Sequence, residues 1–326
     1  MDYCPDILSD KDPLNPFSTM LDKDDASKRM VKLTMPAIRE NCMKFNHFYR
    51  ERFRRTGKKY TSQNFCSITL DENISSFICG SDTIFCPDEF SFDDGYYANY
   101  DCMRGHSAAY AASFGDPTFT DDAYRLLNER IPNFLALGIR EQQMIPYLMA
   151  RTNVPVQQVI DPTLLLSADE YSPITAQPQE SDKYLLMYSR RYSPELEACA
   201  EELAHANGWK IVDISLRAVN AERGHKMAYA AGVEESLSLV KHAEYVVTNS
   251  FHGLIFSVQF RRPFSVFFRE QTHSKISEVL SLFGLGRNSG NADYEAVHRN
   301  IERARAASMD FLKMELELLE SRTNVH

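Results

Sequence analysis

Short apolar runs alternate with amphipathic stretches over most of this chain, and that alternation carries most of its structural information. Runs that read as buried strands cover Ser76–Cys79, Ala108–Ala112, Phe134–Ile139 and Val156–Ile160, and a second set covers Tyr184–Tyr188, Lys210–Ile214, Tyr245–Val247 and Pro263–Phe268. Continuous apolar runs of four to six residues, rather than alternating ones, are what a parallel sheet buried on both faces requires. Between the runs lie segments of helical period. Thr120–Pro132 opens on a Thr followed by two Asp, an N-cap pattern, and Pro194–Asn207 opens on Ser193 with Pro at the first helical position. Further helices are predicted over Val233–His242, Gly253–Phe260, Ser274–Phe283 and Tyr294–Glu320, and an early one over Lys28–Arg55, where Met30, Leu33, Ala37, Cys42 and Phe45 recur on one face.

The stretch Ser172–Asp182 is rich in Pro, Gln and Ser and reads as a linker between two blocks of strand–helix alternation. The expected fold is therefore α/β with two Rossmann-like domains and largely parallel sheets. Residues 1–171 form the N-terminal domain, 172–182 the linker, and 183–326 the C-terminal domain ending in a long helix able to pack back across both. Residues 1–27, polar and rich in Asp and Pro, read as an arm or loop.

Composition narrows the class. With 326 residues, 44 % hydrophobic and 25 % charged, the chain has ordinary globular proportions and enough length for two cores without disulfide or metal staples. No apolar run reaches the roughly 18 residues of a membrane span, and the start is no signal peptide. A formal net charge of -9 argues against a general nucleic-acid binder. Seven cysteines, an odd number without a C-x-x-C pair, fit reduced thiols in a cytoplasmic protein. The nine histidines and seven cysteines also lack metal-ligand spacing. One local exception to the acidic balance is the run Arg50–Lys59 with six cations, read either as a solvated helix end or as a contact for an anionic membrane or lipid diphosphate.

In open parallel sheets, ligands bind beyond the carboxyl ends of the strands. Those positions hold Ser81 and Asp82, Ser113, Arg140 and Glu141, Ser189, Arg190 and Arg191, and Thr248 to His252. Three arginines and a histidine on one edge of an acidic protein point to an anionic ligand. The sharpest feature is VVTNSFHGLIFSVQF (246–260), where a strand passes through a polar turn into an apolar helix and so presents free N–H groups and the positive end of a helix dipole. His252 there titrates in a range suited to acid–base work. The alternative is an N-cap role for Ser250 and an ordinary first-turn role for His252. Arg140 is placed to clamp a carboxylate or phosphate, the alternative being a surface pairing with Glu141. GLGRNSG (284–290) is a poor dinucleotide fingerprint, since it follows a helix, and Gly284 reads as a helix C-cap.

Six ordered blocks resemble the polysaccharide pyruvyl transferase family: GSDTIFCP (80–87), YAASFGD (110–116), LGIREQQ (137–143), VIDPTLLL (159–166), GVEESLSLVKHAEYVVTNSFHGLIFSVQFRRPF (232–264) and SKISEVLSLFGL (274–285). Asn249 stands where the family usually has Asp, and Thr83, Phe85 and Cys86 also depart from its pattern. The resemblance implies a GT-B-like arrangement of the two domains around a cleft, with this chain lacking the family's first β-α-β unit. It implies transfer of a pyruvyl group from phosphoenolpyruvate, a co-substrate rather than a cofactor, to a sugar of a surface polysaccharide, an exopolysaccharide for example, or its lipid-linked precursor. The product is a pyruvate ketal and no metal is required. Carried over by motif, Arg140 and His252 are the catalytic candidates. Ser250, Lys275 and Arg190 are candidates for the donor's phosphate and carboxylate, and Ser81 and Asp82 line the acceptor side. A nucleotide-sugar glycosyltransferase of similar fold and a non-catalytic, shortened family member are the competing readings. The expected location is the cytoplasm, at the inner face of the membrane if the basic run binds lipid.

Overall fold

A computed structural model describes residues 2–3, 25–115, 119–189, 192–214, 218–268, 273–290 and 292–323. Its first strand, β1 (Asp2–Tyr3), pairs in parallel with β2 (Lys59–Tyr60) to form a small two-stranded sheet. Between them runs α1 (Asp25–Arg52). The N-terminal domain is built on β3 (Phe77–Cys79), β4 (Ser107–Ala112), β5 (Phe134–Ile139) and β6 (Val156–Gln158), four parallel strands in sequence order, with α2 (Asp121–Arg130) leading into β5. The C-terminal domain holds β7 (Tyr184–Tyr188), α3 (Pro194–Asn207), β8 (Lys210–Asp213), β9 (Lys226–Met227), α4 (Val233–His242), β10 (Tyr245–Thr248), α5 (Phe251–Gln259), β11 (Phe264–Val266), α6 (His273–Phe283) and α7 (Tyr294–Thr323). Its five strands are all parallel, in the order β11-β10-β7-β8-β9.

The predicted strands are present to within a residue or two. The central strands are buried on both sides: β4 reads Ser-Ala-Ala-Tyr-Ala-Ala with every residue buried, and Leu185, Leu186, Val246 and Val247 are fully enclosed. The start signals operate as read. Thr120 accepts from Ala123 N, and Ser193 accepts from Leu196 N with Pro194 at the first position. Gly284 follows α6 in a left-handed conformation, φ 70°, the geometry of a helix-ending glycine.

The two terminal helices tie the domains together. Although α1 precedes the N-terminal sheet, it packs on the C-terminal domain: Asn41 donates to the carbonyl of Ala231 at 2.5 Å, Lys44 pairs with Glu235 at 2.7 Å and Arg52 with Glu234 at 3.4 Å. The first half of α7 lies on the C-terminal core through Val297 and Ile301. Its second half covers the N-terminal sheet, with Phe311 among Tyr110, Ala111, Ala136 and Val159, and with Ile160 N donating to Ser308 Oγ at 3.0 Å. Gly138 of β5 makes this possible, because a Cβ there would meet Phe311 at 3.1 Å and the Ala109 carbonyl at 3.1 Å. The long helix placed by sequence in the C-terminal domain therefore belongs to both. The linker segment is tied down as well, Ala176 N donating to the Glu234 carbonyl at 3.1 Å.

Candidate active site

The residues just beyond the carboxyl ends of the two sheets meet. Arg140 follows β5 and is 7 % exposed. Its guanidinium spans two carboxylates, Nη1 donating to Asp161 Oδ2 at 2.6 Å and Nη2 to Asp82 Oδ1 at 2.8 Å. Asp82 follows β3 and receives a second cation, Lys275 Nζ of α6, at 3.1 Å. Asp161, beyond β6, caps the next turn by accepting from Thr163 N at 3.0 Å and from Thr163 Oγ1 at 2.6 Å. Facing Asp161 from the other domain is His252 of α5, its Nε2 3.9 Å from Asp161 Oδ2. The Phe251 ring lies 5.2 Å from the Arg140 guanidinium carbon.

Local sequence explains the turn that carries His252. Ser250 is the N-cap of α5, its Oγ accepting from Gly253 N at 3.3 Å, while Ser250 N donates to Thr248 Oγ1 at 3.0 Å and Thr248 Oγ1 donates to the Tyr188 carbonyl at 2.7 Å. Gly253 is required by this packing, since a Cβ would come within 2.3 Å of Thr248 Oγ1. Asn249, just before Ser250, is fully buried. Both the N-cap role and a place in the cleft thus fall on the same short motif.

Arg140 and Glu141 do not form a surface pair. Glu141 is fully buried, and its carboxylate collects Ser113 Oγ, Phe114 N at 3.1 Å and Gly115 N at 3.3 Å, fixing the loop after β4. Adjacent side chains leave a strand end in opposite directions, so Arg140 reaches the cleft while Glu141 pins the loop beside it. Two more contacts close the domains over this loop: Ser274 Oγ donates to the Gly115 carbonyl at 3.5 Å, and Gln142 N to Glu278 Oε1 at 2.9 Å.

The electrostatics are tightly balanced. Burial alone would raise the Asp82 carboxyl, but Lys275 and Arg140 outweigh it and hold the group well below the usual carboxylate range. Desolvation in the cleft lowers the His252 imidazole below 6.5, with Asp161 and Asp82 opposing and Arg140 and Lys275 assisting. His252 is therefore neutral at pH 7, with a ring nitrogen able to accept a proton. Among the described residues Arg140 and Lys275 match Asp82 and Asp161 in charge, while Arg190 and Arg191, the other strand-end cations, lie outside the described residues.

Of the residues singled out from sequence, Asp82, Arg140, His252 and Lys275 come together, with Ser250 under the His252 turn and Ser81, half-buried, next to Asp82. Arg190 lies outside the described residues. Asp161 was overlooked as a site residue, and its signal was present: an Asp-Pro-Thr turn directly after a strand. Among the described residues no three His, Cys, Asp or Glu side chains converge as metal ligands.

Residues 7–267 match the model of the family described as Polysaccharide pyruvyl transferase, spanning both sheets and every cleft residue except Lys275. The chain belongs to the polysaccharide pyruvyl transferase family. Membership makes it a transferase of polysaccharide biosynthesis and implies a polysaccharide acceptor. No curated protein sequence matches the chain. Among solved structures it is similar to a UDP-GlcNAc 2-epimerase from Methanocaldococcus jannaschii, at 11 % identity and a TM-score of 0.48 over 80 % of this chain and 82 % of that one. No helix among the described residues is long and apolar enough to cross a membrane.

Proposed function

We propose that this pyruvyl transferase takes its pyruvyl group from phosphoenolpyruvate and bridges two hydroxyls of one sugar, releasing phosphate and leaving a pyruvate ketal. The observation that carries this reading is the meeting of Arg140, Asp82, Asp161, His252 and Lys275 between the two sheets. The donor carries a carboxylate and a phosphate and needs cations. The acceptor hydroxyl must lose a proton and the donor's C3 must gain one, which needs a titratable group.

Neutral His252 accepts the hydroxyl proton as the oxygen bonds to C2, and the imidazolium so formed is stabilised by Asp161. One hydroxyl proton ends on C3 as the methyl group forms, the other on the departing phosphate. Phosphate leaves toward Lys275 and the N–H groups that open α5, where the helix dipole favours negative charge. Arg140 sits between Asp82 and Asp161 as the positioning element of the cleft and shares its charge with the donor. The side chain of Asp82 is 56 % exposed, so a donor anion displaces it from Lys275 without unfolding the site. Ser81 and Asp82 then face the acceptor. The acceptor is a surface glycan such as an exopolysaccharide or its lipid-linked precursor, met on the cytoplasmic face of the membrane, with Arg50, Arg54 and Lys59 available to anionic headgroups.

The test is a thermal-shift titration with phosphoenolpyruvate, followed by acceptor-dependent phosphate release. A ligand that binds only the folded state at a hundredfold excess over its dissociation constant stabilises by about 2.7 kcal/mol. Wild type shifts, Lys275→Ala loses the shift, and His252→Ala keeps most of it while losing turnover. Protection by a nucleotide sugar but not by phosphoenolpyruvate would replace this reading with a nucleotide-sugar glycosyltransferase. Protection by neither would point to a non-catalytic family member.

A further inference from the structure

Cys66 and Cys102 stand apart from the cleft chemistry. Their sulfurs lie 3.0 Å apart across 36 positions of sequence, and both are free thiols. The backbone on either side is independently held. Phe65 and Tyr100 stack at 4.6 Å with ring planes 14° apart, and Phe65 is buried against Phe77 of β3 at 5.7 Å. The Tyr100 carbonyl closes the turn around Cys102, accepting from Met103 N at 2.8 Å and Arg104 N at 3.1 Å. The two sulfurs are therefore held in contact by segments that are each anchored.

Access differs in a useful way. Cys66 is exposed and Cys102 half-buried, whereas Cys79 and Cys86 are buried in the core. Burial, reinforced by the Cys66 sulfur, pushes the Cys102 thiol up to about 12, so it stays protonated and donates to Cys66 Sγ. Cys66 is the sulfur that a solution reagent meets first.

We infer that Cys66 and Cys102 form a reversible dithiol–disulfide site for low-molecular-weight disulfides such as oxidised glutathione. The Cys66 thiolate attacks one sulfur of the small disulfide, whose S–S bond breaks, and the departing thiolate takes up the proton that Cys66 released. Cys102 then attacks the Cys66 sulfur of the mixed disulfide, its proton passing to the second small thiolate as that group departs. Two hydrogens and two electrons pass from the protein to the small disulfide. The ring so closed contains β3 and the turn with Gly80, Ser81 and Asp82, so oxidation restrains the cleft wall that carries Asp82. This inference stands independently of the donor assigned above.

The experiment incubates the full chain in native buffer with oxidised glutathione, blocks remaining thiols by alkylation and maps the peptides, with melting temperatures before and after. The expected result is a Cys66–Cys102 cross-linked peptide reversed by dithiothreitol. It is accompanied by a rise of about 5–10 °C in melting temperature, given the size of the closed ring. The rise is absent in Cys66→Ser, whose site is exposed and tolerant. A glutathione adduct at Cys66 without the cross-link, a link through another cysteine, or a link formed only in urea would overturn the inference. The wild-type map decides the matter even if Cys102→Ser fails to fold.

Discussion

Lys275 Nζ lies 3.1 Å from Asp82 Oδ1, joining two residues 193 positions apart and from different domains. The lysine is 7 % exposed, and its carboxylate partner also binds Arg140 at 2.8 Å. A buried ammonium beside a guanidinium depends on that one shared carboxylate, which makes the pair asymmetric. Asp82→Ala removes the counter-charge that Lys275 has among the described residues and is expected to cost about 2 kcal/mol in urea unfolding, less than a fully enclosed pair would because Asp82 is half exposed. Lys275→Met removes the charge along with its partner's need and is expected to cost less than half as much. The double variant should recover most of the Asp82→Ala loss.

Gly253→Ala is expected to destabilise the chain by about 2–3 kcal/mol, since the new Cβ would lie 2.3 Å from Thr248 Oγ1 and break the hydroxyl's bond to Tyr188. Thr248→Ala combined with it should restore part of the loss. A strongly non-additive double-mutant cycle in chemical denaturation is the expected signature.

The pH dependence of turnover should report the His252 environment. Its folded pKa is lowered below 6.5, so the neutral base persists into mildly acidic solution and the acid limb of the phosphate-release profile should fall below pH 6.5. The same depression means that the unfolded chain binds the proton more readily. Stability therefore falls as pH drops through 6.5 toward the folded value, and His252→Gln should flatten that acid loss.

Glu315 of α7 is fully buried under the N-terminal sheet, and burial pushes it up to about 8, the Gly138 backbone only partly opposing. The folded state then holds a proton that the unfolded chain releases near 4.5. Stability should accordingly decline as pH rises from 4.5 through 8, by about 4 kcal/mol in all. Glu315→Leu should abolish this decline and raise the melting temperature at pH 8, as followed by thermal unfolding across that range.

Much of the molecule can be read along the chain, for reasons of period and chemistry. A parallel strand buried on both faces is an uninterrupted apolar run, so Tyr184–Tyr188 and Phe134–Ile139 are legible residue by residue. The two-residue strands Asp2–Tyr3, Lys59–Tyr60 and Lys226–Met227 are too short to have a period and exist only because a neighbour supplies the pairing. Helix starts at Thr120, Ser193 and Ser250 are local hydrogen-bond arrangements and are written in a few adjacent residues.

The strand-end rule placed Asp82, Arg140 and His252 on one edge, because a parallel sheet directs the residues after each strand to one side, and the structure brings them together. It did not say that Arg140 would be spent on Asp82 and Asp161, 58 and 21 residues away, or that Glu141 would turn inward to hold residues 113–115. The length of the last helix did suggest that it packs across both domains, as α7 does, but nothing local predicted that α1 crosses to the C-terminal one. Local pattern determines which segments become strands and helices, since propensity, capping and burial period act within one or two turns. Which carboxylate neutralises which cation depends on closing loops tens to hundreds of residues long, and only the packing of both sheets together decides it.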